Sequence, residues 1–252
     1  RAQQPHYLGP SFDPILAYGH HGAIVHYSAT EESDIPLEAE GFLLCDTGGH
    51  YLEGTTDITR TFVLGPISPE MRRHYTLVLR SHLALLNAQF LHGCRGSALD
   101  MLARQPLWQE GLDFNHGTGH GVGYLLSVHE GPNSFRFRSA GQDAILDPGM
   151  IISDEPGLYL EGRYGIRLEN LIVCENRFEN EYGRYLGFAP LTLVPFEREA
   201  IDPALLSPRE TEQLNRYHAA VREALSPHLT TEEQRWLEHA TAPFPVHQAP
   251  DA

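Results

Sequence analysis

Lysine is absent from this 252-residue sequence, and all 18 basic residues are arginine. That absence excludes a Schiff-base lysine, a pyridoxal anchor, a P-loop lysine and a kinase-type phosphate lysine. Chemistry must run on carboxylates, histidines, hydroxyls or bound metal. Basic charge is scarce altogether, 18 residues against 33 acidic ones, for a formal net charge of −15. Neither nucleic acid nor an anionic membrane would find the basic face it needs. The three cysteines (Cys45, Cys94, Cys174) are odd in number, far apart and without a C-x-x-C. They point to reduced thiols in a cytoplasmic protein, not a disulfide framework. No apolar run approaches the length of a membrane span, and no signal pattern opens the chain. The first methionine is Met71, and the expectation is a fragment or processed product with something upstream.

What is present reads as one globular unit. Hydrophobic residues make up 41% and aromatics 10%, enough to bury a sizeable core. The first 20 residues, with Pro5, Gly9, Pro10, Pro14 and Gly19, read as an irregular lead-in, and Gly22–Tyr27 as a short strand. Phe42–Leu52 and Thr55–Gly65 form a hairpin about Glu53-Gly54. Ser68-Pro69-Glu70 starts a helix whose apolar stripe runs to about Leu91, and a second helix follows over Ser97–Glu110. Met150–Glu155 and Tyr164–Cys174 read as a second hairpin, Tyr185–Pro195 as one more strand. Two polar helices begin at Ser207 and Thr230 behind capping sequences, and the last dozen residues look loose. The expected class is α+β, curved antiparallel hairpins with helices on one face.

Three elements carry candidate chemistry. Asp46 and Asp57 lie on the two strands of the first hairpin, which brings them roughly opposite one another. Taken alone, such a pair is usually solvated. Glu155 and Glu169 repeat the arrangement about Gly162, and Glu169 sits between apolar Leu168 and Leu171-Ile172-Val173. A lone buried glutamate is costly unless paired, and Arg167 could supply the pairing. The third element is His116-Gly117-Thr118-Gly119-His120-Gly121-Val122-Gly123 followed by Val128-His129-Glu130-Gly131-Pro132. It fits neither a dinucleotide loop nor a P-loop, but its glycines let backbones pack close while imidazoles project into a cleft. Each part is weak; together they are not. Four carboxylates converging at about 4 Å would repel by roughly 4 kcal/mol per pair at an effective dielectric near 20. Four carboxylates and one neutral imidazole match two divalent cations in charge, with room for a hydroxide between them. Oxygen-rich ligation with one histidine suits manganese or another hard divalent ion.

With these residues in view, the chain resembles the catalytic domain of the pita-bread metallopeptidases, specifically the Xaa-Pro aminopeptidases, and more loosely prolidase and methionine aminopeptidase. The resemblance runs from about Gly22 to Phe196. It rests on Ile24-Val25-His26-Tyr27, Gly54-Thr55-Thr56-Asp57-Ile58-Thr59-Arg60-Thr61, the His120 loop, His129-Glu130-Gly131-Pro132, Ser153-Asp154-Glu155-Pro156-Gly157 and Gly165-Ile166-Arg167-Leu168-Glu169-Asn170. It implies the pita-bread α+β fold over residues 1–196, apparently clipped at its N-terminal part, with a helical extension over 197–252. It implies that Asp46 holds one metal, Asp57 and Glu169 bridge both, and His120 with Glu155 holds the other. Manganese is the expected ion, with zinc, cobalt or magnesium as substitutes. Glu155 would take a proton from the attacking hydroxide. His129 and His26 would steady the tetrahedral intermediate or shuttle protons, Arg167 would lie near the bridging glutamate, and His116 would line the cleft.

The implied reaction is hydrolysis of the bond between an N-terminal residue and a following proline. The implied partners are peptides with proline second, a second copy in a homodimer, and N-terminal domains of the same polypeptide. Alternatives stay open: a prolidase restricted to dipeptides, or a non-catalytic pita-bread binding module. Methionine aminopeptidase fits the Glu130-Gly131-Pro132 sequence and the tail less well, and creatinase works without metals. The Met71–Leu91 stripe reads as core, and Cys45 as facing the packed side of its strand. His20, His21, His50, His74, His82 and His92 read as surface or packing histidines.

Overall fold

The computed structural model describes residues 1–125, 127–138 and 143–246. In chain order it places β1 (Tyr7–Pro10), β2 (Ile15–Tyr18), β3 (Phe42–Tyr51), β4 (Gly54–Val63), α1 (Pro69–Leu86), β5 (Gln89–Leu91), α2 (Gly96–Trp108), β6 (Gly119–His120) and β7 (Ser134–Phe135). There follow β8 (Ile151–Asp154), β9 (Gly157–Leu160), β10 (Tyr164–Arg167), β11 (Asn170–Asn180), β12 (Gly183–Pro190), α3 (Pro208–Leu225) and α4 (Thr231–Ala240). The strand pairings are antiparallel, and the α+β expectation holds.

β3 is the spine of the first sheet. β4 folds back along its whole length, from Phe42 opposite Val63 to Tyr51 opposite Gly54. The other edge of β3 is shared: β2 pairs with its first half and β1 with its end. The lead-in is therefore not irregular, because two short segments find hydrogen-bond partners on an existing edge. Gly22–Tyr27 is not a strand either. A 3-10 turn occupies Gly19–Ala23, and Gly22 packs so tightly on β10 that a Cβ at Gly165 would lie 1.7 Å from the Gly22 carbonyl oxygen. Along β3, Phe42, Leu44 and Asp46 are buried while Leu43, Cys45 and Thr47 are half-buried, the period-2 pattern of a two-faced strand. Cys45 thus faces the less packed side, contrary to expectation.

The second sheet runs β5-β12-β11-β8. Leu85 and Leu86 of α1 and Leu99 and Ala103 of α2 pack into one buried cluster with Ile152, Ile172, Leu186 and Phe188 of that sheet. Ser68 caps α1 by accepting from the Met71 N–H. The helix stops at Leu86, short of Leu91, because Gln89–Leu91 leaves to pair with β12. Both tail helices open with the expected capping boxes, Ser207 with Glu210 and Thr230 with Glu233. Leu214, Tyr217, Val221, Leu237 and Phe244 of this extension share one core cluster with Tyr75, Leu79, Leu83 and Ile166. Fully burying each such side chain contributes about 1.5–3 kcal/mol, so the extension is firmly seated. The expected looseness fails up to Phe244, whose backbone is bracketed by both amide atoms of Asn215. Residues 247–252 lie outside the described residues.

The second hairpin is split. β8 pairs with β11, Asp154 opposite Asn170, whereas β9 pairs with β10, Gly157 opposite Arg167. Between the ladders sit Glu155-Pro156 on one side and Leu168-Glu169 on the other. Pro156 has no N–H to continue a ladder. The Glu155 N–H donates instead to the Thr118 carbonyl at 2.8 Å, and the Glu169 N–H to the Thr59 carbonyl at 3.0 Å. The break hands each glutamate to a different element, one to the histidine loop and one to β4.

Candidate metal centre

Register sets the first pair of acids. Asp57 stands opposite Gly48, two residues on from Asp46, which stands opposite Thr59. The two carboxylates share a face as diagonal neighbours, one step away from the expected face-to-face pairing. β6 brings His120 in from the other side through Gly119, where a Cβ would lie 1.8 Å from the Ser153 carbonyl oxygen. Only glycine permits that approach, and the His120 N–H then donates to Ser153 Oγ at 2.9 Å.

His26, Asp46, Asp57, His116, His120, His129, Glu155, Arg167 and Glu169, all the expected site residues, line one cavity of about 570 Å³. Its tightest group is Asp57, His120 and Glu169, each offering a donor atom within 4.8 Å of the others. His120 Nδ1 lies 3.0 Å from the Gly121 carbonyl. A carbonyl only accepts, so Nδ1 carries the proton and Nε2 presents its lone pair. That lone pair faces Glu155 Oε1 at 3.3 Å and Asp57 Oδ2 at 3.6 Å. Glu155 Oε1 also accepts from Ser153 Oγ at 3.0 Å, and Glu169 Oε2 from Thr59 Oγ1 at 2.7 Å. The His129 ring stands edge-on to His120 with centroids 4.2 Å apart. His26, on the turn beyond the 3-10 segment, is exposed at the cavity wall.

Arg167 corrects one expectation. Its partner among the acids is Asp46, with Nη2 2.6 Å from Oδ2, and not Glu169. Backbone and hydroxyl bonds with Thr61 fix β10 beside β4, and from there the side chain reaches past Thr59 to β3. Arg167 also donates to Tyr159 OH at 3.0 Å, and Tyr159 donates in turn to His116 Nε2 at 2.8 Å. Tyr159, Thr59 and Ser153 are site residues that no motif singled out as such. Tyr159 carries no local signal beyond its place in an ordinary strand.

Charge in the cavity is unbalanced. Burial first, then repulsion from Asp46, pushes the Asp57 carboxyl up to about 7. Burial likewise raises Glu155 to about 8 and Glu169 well above the usual carboxylate range, with repulsion between the acids adding to both. Burial lowers His120 to about 4, so its imidazole is neutral. Asp46 Oδ1 and Glu169 Oε1 are buried without a hydrogen-bond partner among the described residues. Unpaired carboxylate oxygens beside a neutral imidazole lone pair are the donor set of a hard divalent cation. The residues fit such an ion.

The model of metallopeptidase family M24 matches residues 1–176, and that of the C-terminal region of peptidase M24 matches residues 184–244. The chain belongs to metallopeptidase family M24. It is 44% identical over 250 residues to aminopeptidase P1 of Lotus japonicus, an alignment covering 98% of this chain and 38% of the relative. In structure, this M24 chain is similar to the X-prolyl aminopeptidase of Caenorhabditis elegans, described as a cytosolic enzyme with a di-nuclear active site. The TM-score is 0.91 at 41% identity, covering 97% of this chain and 40% of that one. It is also similar to an Xaa-Pro dipeptidase of Bacillus anthracis, with a TM-score of 0.61 at 33% identity over 75% of this chain and 48% of the other. The chain thus spans about two fifths of the length of the curated relatives it matches. Its pita-bread fold is that of the M24 enzymes. No helix among the described residues is long and apolar enough to cross a membrane.

Proposed function

We propose that this chain is the catalytic portion of a metal-dependent aminopeptidase that hydrolyses the bond between an N-terminal residue and a following proline. The observation that carries the reading is the convergence of Asp46, Asp57, His120, Glu155 and Glu169 on one cavity, with His120 neutral and its lone pair turned inward. In this reading Asp57 and Glu169 would be shared by two ions, Asp46 would help hold one, and His120 with Glu155 would help hold the other. An oxygen-rich set with one imidazole favours manganese over a thiolate-preferring ion. Two such ions supply a hydroxide nucleophile at neutral pH and stabilise charge developing on the carbonyl oxygen.

The chain's own groups do the rest. Glu155 Oε1, held by Ser153 Oγ, would take the proton of the attacking hydroxide. Arg167 holds Asp46 in place and donates to Tyr159, whose hydroxyl orients His116; burial keeps that imidazole neutral, pushed down to about 4. His129, held below its ordinary pKa mainly by burial, and His26 stand at the cavity where a substrate carbonyl would lie. Proline's nitrogen carries no hydrogen in the peptide, so its departure requires protonation by a nearby acid. His129 would relay to that nitrogen the proton that Glu155 takes from the nucleophile.

The X-prolyl aminopeptidase matches this chain more fully and at higher identity than the dipeptidase does, 41% against 33%, which supports the aminopeptidase reading. The X-prolyl aminopeptidase aligns with 97% of this chain, the dipeptidase with 75%. Residues 1–196 then carry the chemistry, and the extension packs on them over its described residues, 197–246. The free cysteines and the cytosolic relative support a cytoplasmic location. Further domains of the same polypeptide and a homodimer complete the proposed assembly. Hydrolysis of an Xaa-Pro-Yaa tripeptide compared with an Xaa-Pro dipeptide, each with added Mn2+, tests the reading: the tripeptide should be cleaved faster. Faster dipeptide cleavage would establish the dipeptidase instead.

A further inference from the structure

We propose that a buried relay, Asp154–His82–Asn170–Arg60–Tyr217, makes helix α3 of the C-terminal extension a positioning element for both glutamates of the candidate metal centre. The inference rests on the metal-centre reading above and adds what holds that centre from behind.

Arg60 is the hub. It is 2% exposed, and no carboxylate pairs with it among the described residues; its partners are neutral. Nη1 donates to the Glu169 carbonyl at 2.5 Å and the Thr59 carbonyl at 2.9 Å. Nη2 donates to Asn170 Oδ1 at 2.7 Å, the Val194 carbonyl at 2.7 Å and Tyr217 OH at 3.1 Å. Nε donates to the Pro195 carbonyl at 3.2 Å, and the guanidinium lies 4.3 Å from the centre of the Phe196 ring. A planar fork with five N–H groups can serve these six acceptors if one Nη2 hydrogen is shared, and a lysine ammonium with three cannot.

The relay continues on both sides. Because Asn170 Oδ1 accepts from Arg60, its Nδ2 points to His82 Nε2, 3.2 Å away. Nε2 is therefore the acceptor and Nδ1 carries the proton, 3.1 Å from the Asp154 carbonyl and 3.0 Å from its Oδ2. Asp154 precedes Glu155, and Asn170 follows Glu169. On the far side, Tyr217 donates to the Val194 carbonyl at 2.8 Å, and His218 Nε2 accepts the Phe196 N–H at 3.2 Å. Adjacent residues of α3 grip the strap that grips Arg60. Asp154, His82, Asn170 and Arg60 are each no more than 2% exposed; at the Asp154 end the backbone carbonyl accepts from His82, while both carboxylate oxygens lack a hydrogen-bond partner among the described residues.

The two glutamates sit at the break between ladders, each held there by one backbone bond to another element, and the relay adds a constraint from behind through their neighbours Asp154 and Asn170. Partners behind metal ligands typically change metal affinity 10–100-fold when altered. Mn2+ titrations by calorimetry, with low-temperature electron paramagnetic resonance of the loaded chain, test the proposal. Tyr217→Phe and Arg60→Lys should bind at least one Mn2+ about 10–100-fold more weakly than wild type and change the spectrum at saturation. Leu214→Ala loosens α3 without touching the relay; it should lower the melting temperature and leave the Mn2+ isotherm unchanged. A wild-type isotherm for Tyr217→Phe overturns the proposal. So does equal weakening in Leu214→Ala, which would mean general loosening. A wild-type chain that takes up no Mn2+ overturns the metal-centre reading itself, and the relay's role falls with it.

Discussion

Asp57→Asn should act with opposite sign on stability and on metal binding. In the metal-free chain Asp57 is buried beside Asp46 and its carboxyl is pushed up to about 7 from an ordinary value of 3.8. The folded-state pKa is above the unfolded one, so the folded state binds the extra proton. The penalty is absent below about pH 4, grows as pH rises, and is complete above about pH 7. At about 1.4 kcal/mol per tenfold change, it is on the order of 4 kcal/mol for the charged form. Asparagine removes the charge but keeps a buried amide, which costs about 1–3 kcal/mol if left unpaired. The net gain in metal-free buffer at pH 8 is then about 1–3 kcal/mol. For a chain of this size, each kcal/mol corresponds to about 2–4 °C in melting temperature. The assay is thermal unfolding by circular dichroism, in chelator and with Mn2+, at pH 5 and pH 8. Without metal, the variant should melt about 2–12 °C higher than wild type at pH 8, with a smaller difference at pH 5. With Mn2+, only wild type should gain stability, and the variant should hydrolyse no Xaa-Pro peptide. A variant that melts lower than wild type in chelator at pH 8, or is stabilised by Mn2+ as strongly as wild type, would refute the reasoning.

Three further outcomes follow from the same geometry. Arg167→Met leaves Asp46 buried without its counter-charge, which should cost about 3–5 kcal/mol in metal-free buffer, with part regained on adding Mn2+; unchanged unfolding would show the pair is unimportant. His129→Ala should lower kcat by about 10²–10⁴-fold, the usual contribution of a positioned acid or base, with metal content preserved; loss of metal instead would make His129 a ligand. Gly119→Ala drives a methyl to within 1.8 Å of the Ser153 carbonyl oxygen, so β6 must retreat and carry His120 away; wild-type Mn2+ affinity in a folded variant would contradict that placement.

The site's donors were legible because their chemistry is local. Carboxylates inside apolar strands and histidines among glycines are anomalies that a sequence displays directly, and Asp46, Asp57, His120, Glu155 and Glu169 meet at one cavity. The hairpin of β3 and β4 was legible for the same reason, two alternating runs about Glu53-Gly54. What was not legible depends on partners far along the chain. β1 and β2 exist because β3 offers an edge, which no pattern in Tyr7–Pro10 or Ile15–Tyr18 announces. The end of α1 was misplaced because β12 draws Gln89–Leu91 out of a continuing apolar stripe. The second hairpin was expected to be continuous, yet Glu155 and Glu169 bond across to Thr118 and Thr59. Arg60 and Tyr217 are 157 residues apart, and their meeting is a property of the fold alone. Arg167 could pair with Glu169, two residues on in the sequence, yet the fold gives it Asp46, 121 residues away.

Metal content and hydrolysis measured together test the central claim most directly. The chain should be dialysed against Mn2+, its bound metal counted by mass spectrometry, and release of the first residue from an Xaa-Pro-Yaa tripeptide followed. The account predicts close to two Mn2+ per chain and release of the residue before proline, both lost in Asp57→Asn. A chain that binds no metal, or binds two and leaves the Xaa-Pro bond intact, would contradict it.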